Sequence, residues 1–427
     1  MTSGGLRGRP ANPQTLEPAV VDVDRSTVIG IALASALVPL NSTMVAVALP
    51  KIAKSFDIGR GRAGVLITVY LVIMLIGQPV SGKLSDVIGN KRAVVAALIG
   101  FATCSVAAAV AGSFRQLVIA RGLQAVFASA LAPSVQSMLS AVTAPEVRGH
   151  VFGILGSVIG VGAAGGPLVG GALVSAFGWH AVFLANLPIV VVALAVLWRV
   201  DVPAPHKPGP TPSGGRSAAN STRVAHGAPG LRSRAFGAAA TTQAASNLGQ
   251  YLLLLIAPIL LDARGWSSAA TGVALSSLTV GLIIMGPPGG RHGDTAGRRR
   301  SVALGIGVAT VGVALLLPFG ADITPAVLIT ALLLFGIGLG FASPGIMTAG
   351  IEAAPDDQVG LAAGLLSMSR YVGSITASVI VSKTVADDGS GAGLAYVVAA
   401  VALLIALGAT RGLPGRRVAG LTRTTGF

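Results

Sequence analysis

Twelve long apolar runs, separated by short polar stretches, set the pattern of hydrophobic and polar positions along this chain. Each run has roughly the 20 residues that an α-helix needs to cross a hydrocarbon core, and none alternates over ~10 residues as a barrel strand does. Because lipid leaves no partner for backbone polar groups, the runs are predicted to be helices. The predicted spans, numbered 1 to 12, are residues 27–49, 62–82, 93–113, 116–140, 150–176, 180–198, 235–261, 268–288, 301–320, 324–347, 359–383 and 391–410.

The composition agrees with a membrane protein. Of the 427 residues, 53% are hydrophobic and 11% are charged, whereas about a quarter of the residues of an ordinary soluble chain are charged. Cys104 is the one cysteine, so the sequence offers neither a disulfide framework nor a cysteine metal site. We expect no cofactor and no bound metal.

The distribution of basic residues predicts the orientation in the membrane. With both termini in the cytoplasm, 21 of the 30 lysines and arginines fall on the cytoplasmic side and seven on the outer side, as the positive-inside rule requires. The first outer loop departs from the rule, since it carries four basic residues, Lys51, Lys54, Arg60 and Arg62. The net charge of +15 therefore indicates topology, and we expect no nucleic-acid partner.

Polar segments divide the chain into two halves. Residues 201–234 form a basic linker rich in Pro, Gly and Ser, with six predicted spans in 27–200 and six in 235–411. Residues 1–26 are predicted to be a disordered cytoplasmic tail rather than a signal peptide, and 412–427 a basic cytoplasmic tail. The predicted fold is an all-α membrane protein of twelve transmembrane helices in two six-helix halves.

A polar motif occurs twice, in the loops predicted after spans 2 and 8. "GKLSDVIGNKR" begins at Gly82 and "GRHGDTAGRRR" at Gly290, 208 residues later. The glycines permit tight turns and close helix approach, and the aspartate can cap a helix N-terminus or pair with a basic residue. Such a contact would hold one conformation and break in another, although an ordinary basic cytosolic loop is the simpler alternative. The matching residues, which we predict to gate the conformation, are Gly82, Asp86, Gly89, Lys91 and Arg92, and Gly290, Asp294, Gly297, Arg299 and Arg300.

Twelve spans with this doubled loop resemble the major facilitator superfamily. Span 5 contains "GAAGGPLVGG", which is similar to the G-x-x-x-G-P-x-x-G-G pattern of the exporters, or antiporters, of that superfamily. The resemblance implies a smooth helix face for close packing, made by Gly162, Gly166, Pro167, Gly170 and Gly171; generic packing of small residues would need no antiport.

Further motifs resemble multidrug efflux families, in particular drug/proton antiporters. They are "TVYL" from Thr68, "ARGLQA" from Ala120, "WHAVFLANLP" from Trp179 and "GLLSMSRYVG" from Gly364. Those antiporters typically have aspartate in span 1 where this chain has Asn41. An intramembrane carboxylate can bind and release a proton, but no acidic residue falls in the middle of a predicted span. The sequence therefore leaves proton coupling open.

Polar side chains within the spans are candidates for substrate binding. In span 7 they share one helix face, and Asn41 lies at a similar depth; hydrogen bonding between helices is the alternative role. The two arginines within spans need compensating partners, for which Asn41 and Gln124 are available to Arg121, and at least one arginine is a candidate to attract an anionic substrate. The predicted substrate-binding residues are Asn41, Arg121, Gln124, Gln243, Asn247, Gln250, Tyr251 and Arg370.

The sequence thus predicts a transporter that exports small organic molecules by alternating access. The resemblance implies a multi-pass protein of the plasma membrane that works as a monomer. A facilitative uniporter or importer is the alternative, favoured by the missing acid and disfavoured by the span 5 motif. A membrane enzyme has no suitable residue cluster to support it, and a sensor has no signalling domain. We also expect Asp294→Asn to slow transport less than Asp86→Asn, since the second motif lacks the equivalent of Leu84.

Overall fold

The computed structural model describes residues 25–199, 230–266, 268–320, 322–385 and 390–415, and within them the chain is helical with no strand. Most of the predicted linker 201–234 and of the two predicted tails lies outside these ranges. The helices are α1 (Arg25–Ser55), α2 (Arg60–Ala63), α3 (Val65–Ile88), α4 (Asn90–Ala109), α5 (Phe114–Val142), α6 (Arg148–Phe177), α7 (His180–Leu184), α8 (Asn186–Arg199), α9 (Arg234–Asp262), α10 (Ser268–Ala296), α11 (Arg298–Ala314), α12 (Pro325–Glu352), α13 (Val359–Thr384) and α14 (Ala392–Ala409).

Eleven segments of the described chain are long and apolar enough to cross a membrane, which confirms a multi-pass helical protein. Predicted span 9 is the exception. Its helix α11 has 17 residues and ends at Ala314, and the chain continues in turns to Gly320. Pro318 lacks the N–H that would bond to the Ala314 carbonyl, so the sequence itself stops this helix early.

Predicted span 6 consists of two helices rather than one. α7 and α8 meet at Ala185. Pro188 stands at the third position of α8, where it cannot donate the hydrogen bond that would continue the helix from Leu184. The two pieces together still provide a 20-residue apolar segment, His180–Arg199.

The doubled polar motif is helical, and our prediction of a loop was wrong. α3 continues to Ile88 and α10 to Ala296, so that only Gly89 and Gly297 separate each of these helices from the next. The aspartate follows the first glycine of the motif by four residues, which places both on one face of the helix. The polar motif is thus the end of a membrane helix that carries on beyond its apolar part.

A few helix pairs account for most of the packing in the bundle. α1 and α6 lie side by side, as α3 and α4 do with α5, and α10 and α11 with α12. The helices up to Arg199 contact those from Arg234 onward mainly through α3 against α13 and α6 against α10. We call the face of the bundle where α3 and α10 end, and where α6 and α13 begin, the capped face.

Candidate functional site

The Asp86 carboxylate, near the end of α3, caps the N-terminus of α13. Its Oδ1 accepts a hydrogen bond from the Gly360 amide at 2.7 Å and its Oδ2 accepts one from the Leu361 amide at 2.9 Å. The first-turn amides of a helix have no partner within the helix and lie at the positive end of its dipole. A carboxylate from one set of helices therefore satisfies the helix end of the other.

Asp294, near the end of α10, caps α6 in the same way. The Gly149 and His150 amides donate to its Oδ1 and Oδ2, both at 2.9 Å. Each set of helices thus supplies one carboxylate and one helix N-terminus. The repeated motif produces two reciprocal caps, both on the capped face.

The glycines of the motif have two separate tasks. The first glycine lies one turn before the aspartate and allows backbone to touch backbone: a Cβ on Gly82 would clash with the Gly360 carbonyl oxygen, and one on Gly290 would clash with the Gly149 carbonyl oxygen. The second glycine makes the turn into the next helix. Gly89 has φ +94° and Gly297 has φ +96°, which residues with a Cβ rarely adopt.

The two caps differ in their ionic surroundings. Arg298 pairs with Asp294, and its Nη2 also donates to Glu352 Oε1 at 3.2 Å. Arg148 Nη1 lies 3.8 Å from the same Glu352 oxygen. We call these four side chains the Glu352 network. Asp86 has no such network among the described residues, because Asn90 occupies the position that corresponds to Arg298 after the 208-residue offset.

Sequence reasoning missed Arg298 and Glu352. It listed the basic pairs of the motif among the gating residues, but Arg92, Arg299 and Arg300 are exposed and do not contact the capping carboxylates. The signal was the difference between Asn90 and Arg298 at corresponding positions of the two motif copies, which would have indicated that only the second cap has an ion pair.

A buried polar cluster surrounds Arg121, in the second turn of α5. Arg121 is 1% exposed; its Nη1 donates to Asn41 Oδ1 of α1 and to Gln124 Oε1 at 2.6 Å. Gln124 Nε2 in turn donates to Ser105 Oγ of α4 at 2.6 Å. The guanidinium carbon of Arg121 lies 3.8 Å from the centre of the Tyr70 ring of α3. The predicted residues Asn41, Arg121 and Gln124 are therefore direct neighbours.

The second membrane arginine lies near this cluster, on α13. Arg370 is partly buried and its Nη2 donates to Ser367 Oγ at 3.3 Å. The adjacent Tyr371 lies close to Tyr70 of α3 and to Tyr251 of α9. Three of the four tyrosines in the chain thus lie where the two sets of helices meet.

The polar face predicted on span 7 divides into two parts. Gln243 and Asn247 are buried, and Asn247 Nδ2 donates to the Gln243 carbonyl at 3.0 Å, a bond within α9. Gln250 is partly buried, whereas Tyr251 is 38% exposed. Tyr251 is the member of this face that lies close to Tyr371 of α13.

The glycine motif of α6 packs against α1. A Cβ on Gly162 would lie 2.9 Å from the Ala36 carbonyl oxygen, and one on Gly170 would lie 2.9 Å from Met44 Cα. Gly166, between them, is closer still to Thr43. Pro167 is exposed, and a Cβ on Gly171 would meet nothing within 4 Å. Three of the five predicted packing residues make the contact, because only positions four apart share this face.

These features define a multi-pass α-helical membrane protein in which two sets of helices cap each other on one face. The family model described as Major Facilitator Superfamily matches residues 31–378 and 239–416. The chain belongs to the Major Facilitator Superfamily, as the motifs predicted, and its members are transporters that lie in the lipid bilayer and bind small molecules.

Individual relatives and a solved structure agree with this assignment. The chain is 25% identical to the "Multidrug resistance protein B homolog" of Mycobacterium tuberculosis over 95% of its own length and 84% of that protein. It is 31% identical to the "Tetracenomycin C resistance and export protein" of Streptomyces glaucescens over 45% of its length and 33% of that protein. The crystal structure of the human organic anion transporter MFSD10 has the same fold, with a TM-score of 0.69 at 15% identity, covering 92% of this chain and 100% of the other.

Proposed function

We propose that this protein exports small organic molecules across the plasma membrane by alternating access. In this mechanism two six-helix halves, 27–200 and 235–411, rock about a central binding site. The capped face is the cytoplasmic face and both termini lie on that side. The described state is then closed to the cytoplasm, and substrate leaves from the opposite face.

The observation that carries this proposal is the pair of reciprocal caps. The close backbone approaches at glycines between α3 and α13 join residues 78–86 to 360–364, and those between α6 and α10 join 149–160 to 283–294. Both regions lie at the capped face. Because water can replace either carboxylate at a helix N-terminus, separation of the halves exposes no orphaned amide there.

Export rather than import is supported by the glycine face of α6 and by the relatives. The span 5 motif resembles that of exporters, and the names of two relatives include drug resistance or export. The energy source is a separate matter. Asn41 stands beside Arg121 in the position of the antiporters' aspartate, and this favours the second candidate function, a facilitative uniporter or importer without proton coupling.

The test of export is the accumulation of dyes and antibiotics in cells with and without the protein. Export lowers accumulation of at least one compound in cells that have the protein. An uncoupler then separates the two candidates, because it abolishes proton-driven export and leaves facilitated diffusion unchanged. Equal accumulation of every compound in both cell types would contradict export.

Orientation can be tested with single cysteines in a Cys104→Ala background. Gly59 lies between α1 and α3 and Gly415 follows α14, and at both an added Cβ meets nothing within 4 Å. With the capped face inside, an impermeant maleimide labels Gly59→Cys in intact cells and Gly415→Cys after permeabilisation only. The reverse pattern would invert the proposed topology. Elution at the mass of one chain per micelle would support the proposed monomer.

A further inference from the structure

The Arg121 cluster holds a positive charge without a negative one. The ion pairs of the Glu352 network join Asp294, Arg298, Glu352 and Arg148 and do not include Arg121. The partners of Arg121 are neutral amides and an aromatic ring. A guanidinium stays protonated under all ordinary conditions, so this buried site has a net charge of one sign.

Hydrogen-bond donors in the cluster exceed the acceptors. Arg121 Nε and Asn41 Nδ2 are buried and have no hydrogen-bond partner in the described part of the chain. Arg121 and Asn41 are 1% and 0% exposed, and buried donors normally find an acceptor. An unsatisfied donor on a cation, with a second on the neighbouring Asn41, favours an oxyanion, since a planar guanidinium fork matches a carboxylate.

The surroundings extend this site toward the contact between the two sets of helices. Tyr70, whose ring lies against Arg121, also lies close to Tyr371. Arg370, the neighbour of Tyr371, also has a buried Nε without a partner. Tyr251 approaches the same tyrosine from α9. A molecule held between Arg121 and Arg370 would meet two cations and three aromatic rings.

We propose that the transported substrate is an aromatic organic anion whose acidic group completes the Arg121–Asn41 site. The substrate then supplies the carboxylate that the chain lacks at Asn41. Its ring lies among Tyr70, Tyr251 and Tyr371. This inference rests on the proposed function and adds the class of substrate to it.

Two dyes with one scaffold and opposite charge test the proposal. Fluorescein is an anionic xanthene and rhodamine 123 a cationic one, and binding of each to the purified full chain can be followed by fluorescence anisotropy. We expect fluorescein to bind more tightly than rhodamine 123. Arg121→Gln should weaken fluorescein binding about 10- to 100-fold, the range that one charged hydrogen bond contributes, and Arg121→Lys should weaken it less.

A second variant keeps Arg121 and supplies the missing charge. Asn41→Asp places a carboxylate against the guanidinium, where it should compete with fluorescein. The affinity for fluorescein should fall about 10-fold or more, the contribution of one charged hydrogen bond, and the melting temperature should not fall. Gln136→Glu is the matched control: it adds an equally buried carboxylate on α5, about 22 Å along the helix from Arg121 at ~1.5 Å per residue, and should leave fluorescein binding unchanged.

Several results would overturn the inference. They are equal affinity of the wild type for both dyes, fluorescein binding that survives Asn41→Asp, and displacement of fluorescein by millimolar chloride, which would mark an inorganic anion site. A failure of the proposed export would look different. Cells with and without the protein would then accumulate each dye to the same level, even though the purified protein binds fluorescein through Arg121.

Discussion

Neutralising either capping aspartate should open the capped face, and the structure sets the size of the effect. Asparagine has one acceptor oxygen, so Asp86→Asn retains at most one of the two bonds to the Gly360 and Leu361 amides. A hydrogen bond to a charged group contributes ~1.5–3 kcal/mol. Because Asp86 is only half-buried, we expect the lost hydrogen bond to destabilise the capped state by about 2 kcal/mol. This corresponds to roughly a 30-fold rise in the uncapped population.

Asp294→Asn should have the larger effect. It loses the equivalent bond and also leaves Arg298 with Glu352 as its remaining carboxylate partner. The Asp294 side chain is 6% exposed, and removing one member of a buried ion pair costs about 3–5 kcal/mol. The geometry therefore reverses the order expected from the missing Leu84 equivalent.

The assay is the rate of maleimide labelling at a cysteine on the opposite contact, in a Cys104→Ala background. Ser157→Cys reports on Asp86→Asn, because Ser157 Oγ donates to the Ile283 carbonyl between α6 and α10 at 2.6 Å. Ser85→Cys, which is fully buried on α3, reports on Asp294→Asn. Since the two halves are proposed to move as units, a mutation at one contact should speed labelling at the other.

Asp322→Asn is the matched control, since Asp322 is exposed and lies on the opposite face. It should leave both labelling rates unchanged. Wild-type labelling rates at the distant cysteine in both capping variants would refute the reasoning. A rise confined to the mutated contact would show that the caps stabilise local structure only.

Three further perturbations follow from the packing and the ionic contacts. Leucine at Gly166 or Gly170 should abolish transport and lower the yield of folded protein in size-exclusion chromatography, whereas Gly171→Leu, in open space, should be tolerated; equal yields for all three would contradict the α1–α6 contact. Gly89→Ala should lower the melting temperature, because φ +94° costs a residue with a Cβ about 1–3 kcal/mol; an unchanged melting temperature would mean that the turn relaxes freely. Glu352→Gln should speed labelling of Ser85→Cys while Asp322→Asn does not, and equal rates would show that the Glu352 network does not hold the capped face.

Hydropathy predicts most of this fold because each membrane helix satisfies its own backbone. The membrane spans follow from run lengths alone, and the departures have local causes, such as Pro318 ending α11 at Ala314. The helical state of the doubled motif was missed because glycine and charge resemble a loop in sequence. Only packing shows that Gly82 and Asp86 form one face of a helix.

The sequence indicated many residues of the candidate site, but it did not show which residues most of them contact. The capping role of Asp86 was one of two options, but its target, Gly360, lies 274 residues further along the chain, and no spacing rule joins them. The Arg121 partners were foreseen because Gln124 is one turn away and Asn41 lies at a similar depth. The Glu352 network was not, because its four members lie at or near the ends of four different helices, which sequence alone does not bring together.

The Arg121 cluster also has a consequence for how the chain enters the membrane during synthesis. An arginine at the centre of a span costs about 2.5–3.5 kcal/mol on insertion scales, and Arg121, two turns into α5, bears part of that cost. α5 also has a mean hydropathy of 1.4 in its most apolar window, against 1.8 or more in the helices before it. The partners that Arg121 finds outside α5, Asn41 and Tyr70, lie on α1 and α3. The ribosome has therefore already made both helices when α5 emerges. The guanidinium can then leave the translocon in contact with α1 and α3 rather than with lipid. Insertion of the fourth long helix should accordingly depend on the first two, and α5 expressed behind an unrelated leader should insert less efficiently than α5 in its own chain.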